Sequence, residues 1–217
     1  MSDSKSNLKF YCAWYCPFAQ RAWISLFHKK ADFEYIETNP YLKTPDFLAL
    51  NPNGTIPVIT DKGKIVYESP ICVEYIDEAF PAANQILPSD PYKRAYARMW
   101  ADFVTKKLCS PFYACLKNQE QEGQEKEKQK LLANLYVFTE AMDKEGPFFQ
   151  GDSLGFVDIM YFPFAQRLFV LKFYRGFELP QDPRLERFRK WLHAVQEHPS
   201  VKPTVQDQER LIKVYRF

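Results

Sequence analysis

The feature that most constrains the fold is a change of hydrophobic pattern part-way along the chain. Over residues 8–82, short strand-like runs alternate with helix-like runs in the order β-α-β-α-β-β-α. The stretch PAANQILPSDPY at 81–92 holds three prolines and little periodicity, and beyond it every strong apolar pattern has helical spacing. The sequence therefore predicts an α/β domain over 1–82, a linker over 83–92 and an all-helical domain over 93–217.

Local signals in the first half support this order. Four short runs predict strands, at 8–11, 33–38, 56–59 and 64–67. Between the last two, Asp61-Lys62-Gly63 is typical of the turn of an antiparallel hairpin. Pro17 stands at the first position of a helix predicted over 17–30, where its missing N–H costs nothing. Pro57 cannot donate to a central ladder, so it indicates a special turn, with a cis bond as one option.

The second half contains two signals for helix ends. The helical pattern around Trp100 is expected to stop before Pro111, because proline disrupts a helix interior. Asp158 follows Gly155 by three residues and leads into an apolar run. We expect its carboxylate to accept backbone N–H groups at the start of a buried helix, much as in a capping box.

Composition and charge exclude several classes of protein. The chain has 217 residues, 46% of them hydrophobic, which is enough to bury a sizeable core. Its 29 basic and 27 acidic side chains are scattered and leave a net charge of +2, so nothing favours binding to nucleic acid. The first residues lack the apolar core of a signal peptide, and no run reaches the roughly eighteen apolar residues of a membrane span. We expect a cytoplasmic protein whose five cysteines are reduced thiols.

One cysteine has a special position. In YCPFAQR, residues 15–21, Cys16 comes directly before Pro17 and the predicted helix. A thiol attacks as its thiolate, and the unpaired N–H groups at a helix start favour an anion. Arg21, one turn on, either adds positive potential or is an exposed, solvated side chain. The alternative for any cysteine is burial as a small apolar residue, and we favour that for the other four: Cys12, Cys72, Cys109 and Cys115.

Other chemistry at Cys16 has less support. A dithiol motif would place its second cysteine at the position of Ala19. Cys12 is four residues upstream, which leaves a disulfide with Cys16 open after oxidation. The three histidines lie far apart and no Cys or His pair has ligand spacing, so we predict no metal site. The sequence contains no Gly-rich phosphate loop and no serine nucleophile elbow.

Four short motifs together carry a family resemblance. They are CPFAQR at 16–21, Asn51-Pro52, Ile56-Pro57-Val58, and Glu68-Ser69 before a helix. This combination resembles the glutathione-site signature of the glutathione transferases, and the similarity covers nearly the whole chain. Within that family, CPFAQR is similar to the cysteine-type classes, Omega and Lambda, rather than to the classes that use tyrosine or serine.

The resemblance implies a thioredoxin-like N-terminal domain, an all-helical C-terminal domain and a homodimer. It implies glutathione as a cosubstrate, with no permanently bound cofactor. Cys16 would form a mixed disulfide with glutathione, and Ile56, before a cis-Pro57, would pair its backbone with the cysteinyl unit. Glu68 and Ser69 would hold the γ-glutamyl end. An ordinary helix cap is the alternative for Glu68-Ser69.

Further site residues follow from the resemblance with less precision. Phe18 would lie against glutathione, although core packing of its helix is as good an account. Lys43 corresponds to a family lysine only with an offset of one residue, because Thr44 intervenes. Gly155 stands where the family usually has Ser or Thr. A second-substrate pocket between the domains would draw on six residues: Trp14, Tyr15, Phe112, Tyr113, Phe164 and Arg167.

A cysteine in this place implies thiol transfer rather than conjugation. We expect removal of glutathione from mixed disulfides, reduction of dehydroascorbate, and only weak conjugation of electrophiles. Two alternatives stay open. CPFxQR also resembles the intracellular chloride channel proteins, which share the fold and respond to membranes. The chain could also bind glutathione or other ligands without catalysis.

Overall fold

The computed structural model describes residues 7–81 and 84–215, which belong to two compact units. The first unit is Met1–Ile86 and the second is Leu87–Phe217. The division between them falls inside the stretch that the sequence marks as a linker.

The first unit is a small sheet with three helices. Its strands are β1 (Leu8–Cys12), β2 (Glu34–Glu37), β3 (Val58–Asp61) and β4 (Lys64–Tyr67). Its helices are α1 (Pro17–His28), α2 (Pro45–Leu50) and α3 (Ser69–Ala79). The predicted order β-α-β-α-β-β-α is confirmed. The third strand begins at Val58 rather than at Ile56, because Pro57 has no N–H to give to the ladder.

The sheet has the order β2-β1-β3-β4. The central strand β1 pairs parallel with β2 and antiparallel with β3, so Phe10 lies opposite both Tyr35 and Ile59. The turn between β3 and β4 closes the predicted antiparallel hairpin. Phe10 and Ile59 are fully buried in the core of this unit, together with the apolar side of α1. This is the thioredoxin-like arrangement, and it places the end of β1 and the start of α1 beside each other.

The second unit is built from helices. They are α4 (Pro91–Phe103), α5 (Ser110–Lys117), α6 (Gln121–Ala141), α7 (Phe156–Ala165), α8 (Leu168–Arg175), α9 (Glu186–Glu197) and α10 (Gln208–Val214). Among residues 87–215 the structure contains no strand, only an isolated bridge between Phe148 and Gly151. The predicted fold class is therefore confirmed: a thioredoxin-like unit followed by an all-helical one.

The expected helix end before Pro111 is wrong. The chain continues from α4 through a π-helical segment, Val104–Cys109, directly into α5. Pro111 lies in the first turn of α5, where a proline is tolerated after the wider turns of the π-helical segment. Proline therefore marks a change of helix type here, not a loop.

Asp158 organises the start of α7 as the sequence predicts. Its carboxylate accepts the backbone N–H of Gly155 at 2.8 Å. It also accepts the backbone N–H of Phe149 at 2.8 Å and the indole N–H of Trp191 at 2.6 Å, two partners that sequence spacing does not indicate. Burial raises the pKa of Asp158 to about 6, so at neutral pH the carboxylate form receives these bonds. One side chain thereby joins α7 to α9 and to the preceding loop.

We expect Asp158→Ala to lower the free energy of unfolding by about 3 kcal/mol, because three donors, two of them in buried hydrogen bonds, lose their acceptor. Chemical denaturation followed by circular dichroism measures this change. Asp152→Ala is the matched control, since Asp152 is an exposed acidic residue nearby, and it should change stability by less than about 0.5 kcal/mol. Equal effects of the two substitutions would contradict the role given to Asp158.

Candidate active site

Cys16 lies at the junction between β1 and α1. It is the residue immediately before the helix, with φ −77° and ψ 118°, and its sulphur accepts the backbone N–H of Ala19 at 3.5 Å. Its own N–H donates to the carbonyl oxygen of Ala13 at 2.9 Å, which holds the tight turn out of β1. The side chain is half-buried. A sulphur in this position receives a backbone N–H and the positive end of a helix, both of which favour the thiolate.

The other cysteines are in different surroundings. All five are free thiols, and all except Cys16 are buried. Burial, followed by the negative charge of a Cys16 thiolate, raises the pKa of Cys12 well above its usual range. Burial likewise raises the pKa of Cys72 to about 12. Whether Cys12 pairs with Cys16 on oxidation stays a prediction.

Asn51 shapes the loop that carries Ile56. Its side-chain amide donates to the carbonyl oxygen of Thr55 at 2.8 Å and to the Thr55 hydroxyl at 3.0 Å. Its side-chain oxygen accepts the N–H of Asn53 at 3.0 Å, and the whole residue is buried. The loop then leads to Ile56 and a cis Pro57. These two residues come just before Val58, the first residue of β3 that pairs with β1. The Asn-Pro pair in the sequence was the only signal for this organising role.

Lys43 lies beside the same loop in spite of its offset. Its backbone has φ +43°, and the side chain is exposed. A methyl group placed on Gly54 would lie 3.2 Å from Cδ and Cε of Lys43, so the lysine stem runs past Gly54. Thr44, the intervening residue, caps α2: its hydroxyl accepts the N–H of Phe47.

Glu68 and Ser69 do not form an ordinary helix cap. Glu68 has a left-handed φ of +69°, is exposed, and makes no side-chain capping bond to α3. Such a φ is uncommon for a residue other than glycine and concentrates at functional sites. Ser69, the first residue of α3, is buried, and its hydroxyl accepts a hydrogen bond from Nη1 of Arg21 at 3.1 Å.

Arg21 is buried, with 1% of its surface exposed, so the solvated-side-chain alternative is wrong. Its guanidinium carbon lies 5.0 Å from the centre of the Phe18 ring. Phe18 is half-buried and therefore has a packing role, while its contact with glutathione stays a prediction. Spacing alone does not reveal the bond from Arg21 to Ser69, because the two residues are far apart in the sequence.

The candidates for the second substrate divide by exposure. In the first unit, Trp14 and Tyr15 are half-buried and meet edge to face, with ring centres 5.6 Å apart. Burial, more than the neighbouring charges, raises the pKa of Tyr15. In the second unit, Tyr113 is half-buried. Three other candidates pack into the core of that unit with 1% exposure or less: Phe112, Phe164 and Arg167.

The described residues also bear on metals and membranes. Over 7–81 and 84–215, no group of three His, Cys, Asp or Glu side chains could hold a metal ion. In that same part of the chain, every helix is too short or too polar to cross a bilayer.

We expect iodoacetamide at pH 7 to modify Cys16 first and the other four cysteines slowly. Cys16 alone combines partial exposure with a backbone N–H on its sulphur, whereas burial raises the pKa of Cys12 and Cys72 and keeps both as thiols. Peptide mass spectrometry after short labelling identifies the modified residue. Denatured protein is the control, in which all five should react, and faster labelling of Cys12 than of Cys16 would contradict the assignment.

Two family models and a related protein each match a large part of the chain. The family model described as "Glutathione S-transferase, N-terminal domain" matches residues 15–79, and the one for the C-terminal domain matches residues 121–194. The chain is 44% identical to Glutathione S-transferase U22 of Arabidopsis thaliana over 160 residues, which is 73% of this chain and 71% of that protein.

Two solved structures extend the likeness over almost the whole chain. Glutathione transferase Omega 3C from Trametes versicolor is 35% identical with a TM-score of 0.88, and the match covers 97% of this chain and 89% of that one. The Tau class enzyme MiGSTU from mango, Mangifera indica, is 31% identical with a TM-score of 0.90, covering 97% and 98%. Both domains and the fold are therefore accounted for by one family: this chain is a member of the glutathione S-transferases.

Proposed function

We propose that this protein is a glutathione-dependent thioltransferase that uses Cys16 as its nucleophile. The observation that carries the proposal is the position of the Cys16 sulphur, half-exposed at the start of α1 and within 3.5 Å of the Ala19 N–H. Members of the family use glutathione as a substrate. A thiolate in place of a hydroxyl changes the reaction, because sulphur can form and break a disulfide.

The proposed reaction is a pair of thiol–disulfide exchanges. The Cys16 thiolate attacks the glutathione sulphur of a mixed disulfide, the S–S bond breaks, and the substrate leaves as its thiolate. This step forms a disulfide between Cys16 and glutathione. A second glutathione thiolate then attacks the glutathione sulphur, releases glutathione disulfide and regenerates the Cys16 thiolate. The net result is that one mixed disulfide is reduced and glutathione is oxidised; dehydroascorbate would accept the same two electrons.

Glutathione is proposed to lie across the start of α1, the Asn51–Pro57 loop and the start of α3. The backbone of Ile56, next to Pro57, would pair with the cysteinyl unit as an added strand does. Glu68 would pair with the γ-glutamyl ammonium, and Ser69 at the start of α3 suits a carboxylate. Lys43 would meet a further carboxylate, which is supported by its position beside Gly54.

For the second substrate, we propose that half-buried aromatic rings make the contacts. The candidates in the first unit are Trp14 and Tyr15, and Tyr113 is a separate candidate in the second unit. Phe112 and Phe164 lie 5.6 Å and 5.8 Å from Tyr113 by ring centres, so they would act by holding Tyr113 in place. Arg167 would support the same region through its bond to the carbonyl oxygen of Pro163 at the end of α7.

We expect Cys16→Ala to reduce deglutathionylation of a mixed disulfide and reduction of dehydroascorbate by at least about 100-fold, because the nucleophile is lost. Coupled assays of glutathione disulfide formation measure both rates, and calorimetry should show that glutathione still binds. Cys12→Ala is the matched control and should keep both activities. If Cys16→Ala retained full activity, the proposed function would be wrong.

Glutathione conjugation is a second candidate, favoured by the likeness to the Tau class enzyme from mango. The variant Cys16→Ser separates the two. A serine hydroxyl can hydrogen-bond the thiolate of glutathione but cannot form a disulfide with it, so we expect faster conjugation and lost thiol transfer. The assay uses 1-chloro-2,4-dinitrobenzene with saturating glutathione. A wild type that conjugates faster than Cys16→Ser would instead make conjugation the main activity.

A homodimer is also proposed, from the family alone. Size-exclusion chromatography with light scattering at micromolar concentration distinguishes a mass near twice 25.6 kDa from that of a monomer. A monomer throughout that range would contradict the proposal.

A further inference from the structure

Cys12 and Cys16 both bind one backbone oxygen. The Cys12 thiol donates to the carbonyl oxygen of Ala13 at 3.4 Å, and the N–H of Cys16 donates to the same oxygen at 2.9 Å. The second of these bonds closes a four-residue turn, which keeps the Cα atoms at its two ends within about 7 Å. Cys12 directly precedes the turn and its sulphur contacts the oxygen of the turn. This arrangement suits a disulfide, whose Cα atoms lie about 4.4–6.8 Å apart.

The two sulphurs differ in access and in charge. Cys16 is half-buried and its sulphur accepts the Ala19 N–H, so an oxidant from solvent reaches this thiolate first. Cys12 is fully buried. Burial raises the pKa of Cys12 most, and the negative charge of a Cys16 thiolate raises it further. Oxidation of Cys16 removes that negative charge, and the Cys12 thiol then loses its proton more easily.

A neighbouring pair of side chains provides a route for the Cys12 proton. Cys12 lies opposite Glu37 in the parallel pairing of β1 with β2, and Tyr35, two residues earlier on β2, faces the same side of the sheet. The Tyr35 hydroxyl donates to the Glu37 carboxylate at 2.6 Å. Against the larger effect of burial, a hydrogen bond with Tyr35 lowers the pKa of Cys12. The three side chains thus lead from the buried thiol to an exposed carboxylate.

The other cysteines are placed differently. Cys72 lies in α3, where its thiol donates to the carbonyl oxygen of Val66 at 3.6 Å. After burial, the charge that raises the pKa of Cys72 is that of Glu68. Cys109 and Cys115 belong to the second unit. Cys12 is therefore the thiol placed to react with an oxidised Cys16.

We propose that Cys12 captures the oxidised form of Cys16 as a disulfide, which makes the β1–α1 junction a reversible site of modification by hydrogen peroxide. The Cys16 thiolate attacks a peroxide oxygen, the O–O bond breaks, and a sulfenic acid and hydroxide form. The Cys12 sulphur then attacks the Cys16 sulphur and the S–O bond breaks. The Cys12 proton passes through Tyr35 to Glu37, and the departing hydroxide takes a proton from solvent. Two thiols become one disulfide while one peroxide becomes two waters.

Glutathione reverses this modification. Its thiolate attacks the Cys16 sulphur, and Cys12 leaves and regains its proton. The product is the Cys16–glutathione disulfide that a second glutathione opens in the proposed reaction. This return step rests on the proposed function, whereas closure of the disulfide does not. Without Cys12, further peroxide converts the sulfenic acid to sulfinic and sulfonic acids, which glutathione does not reduce.

The test exposes the reduced protein to hydrogen peroxide at pH 7 without glutathione and then blocks free thiols with iodoacetamide. Cys12 and Cys16 fall in one tryptic peptide, residues 10–21. We expect wild type and the control Cys72→Ala to give this peptide without alkylation and lighter by two hydrogen atoms than its reduced form. A peptide alkylated at Cys12, with sulfinic or sulfonic acid at Cys16, would overturn the proposal.

Tyr35→Phe tests the proton route. The substitution keeps a ring beside Phe10 and Trp23 and removes only the hydroxyl. We expect the sulfenic acid, trapped with dimedone at successive times, to persist at least about tenfold longer than in wild type. Tyr75→Phe removes a hydroxyl bonded to Asp61 on β3, so it is the matched control and should leave the lifetime unchanged. Equal lifetimes in Tyr35→Phe and wild type would overturn the role given to Tyr35.

Recovery of activity distinguishes capture from a structural role of Cys12. After peroxide treatment, glutathione should restore nearly all thiol transfer in wild type, whereas Cys12→Ala should stay at least about tenfold below its untreated rate. Cys12→Ser, which nearly keeps the size of the side chain, serves in the same way where Cys12→Ala fails to fold. Equal recovery in wild type and these variants would overturn the proposal. If untreated wild type lacks thiol transfer, the proposed function is wrong, and the mass of the 10–21 peptide still decides whether Cys12 captures Cys16.

Discussion

The hydrogen bond from Arg21 to Ser69 is the interaction on which the arrangement of the candidate site depends. Helix α1 begins after Cys16 and helix α3 begins at Ser69, and the two helices pack along each other in the first unit. An arginine is costly to bury unless its donors are satisfied. The bond at this contact therefore favours one register of α1 against α3, and that register keeps the two helix starts at the same end of the unit.

The two cysteines at the β1–α1 junction show how strongly local structure controls reactivity. Cys12 ends the central strand, is fully buried, and its thiol donates to the carbonyl oxygen of Ala13. Cys16, four residues later, has passed through the turn and receives a backbone N–H from the helix. The same residue type is thus held as a thiol in one place and favoured as a thiolate in the other.

Much of the fold could be predicted because its signals are local. Strand runs, the hairpin turn, Pro17 at a helix start and the acidic residue in the first turn of α7 each involve neighbours in sequence. The end expected before Pro111 failed because tertiary packing of the helices continues the chain through a π-helical segment, which no residue pattern marks. The sequence also did not predict the hydrogen-bond partners of Asp158 in the preceding loop and in α9, since they lie nine and 33 residues away along the chain.

The sequence by itself determined the order of elements, the position of Cys16 at a helix start and the family to which the motifs point. These depend on spacing and on the backbone chemistry of proline and helix ends, which act over a few residues. Only the tertiary structure decided that Arg21 is buried against Ser69, that Asn51 holds the Ile56 loop, and that Lys43 lies beside Gly54. Arg21 and Ser69 belong to two helices that packing brings together, which their separation of 48 residues does not indicate. The bonds from Asn51 to Thr55 span only four residues, but they depend on the conformation that the loop adopts in the folded chain.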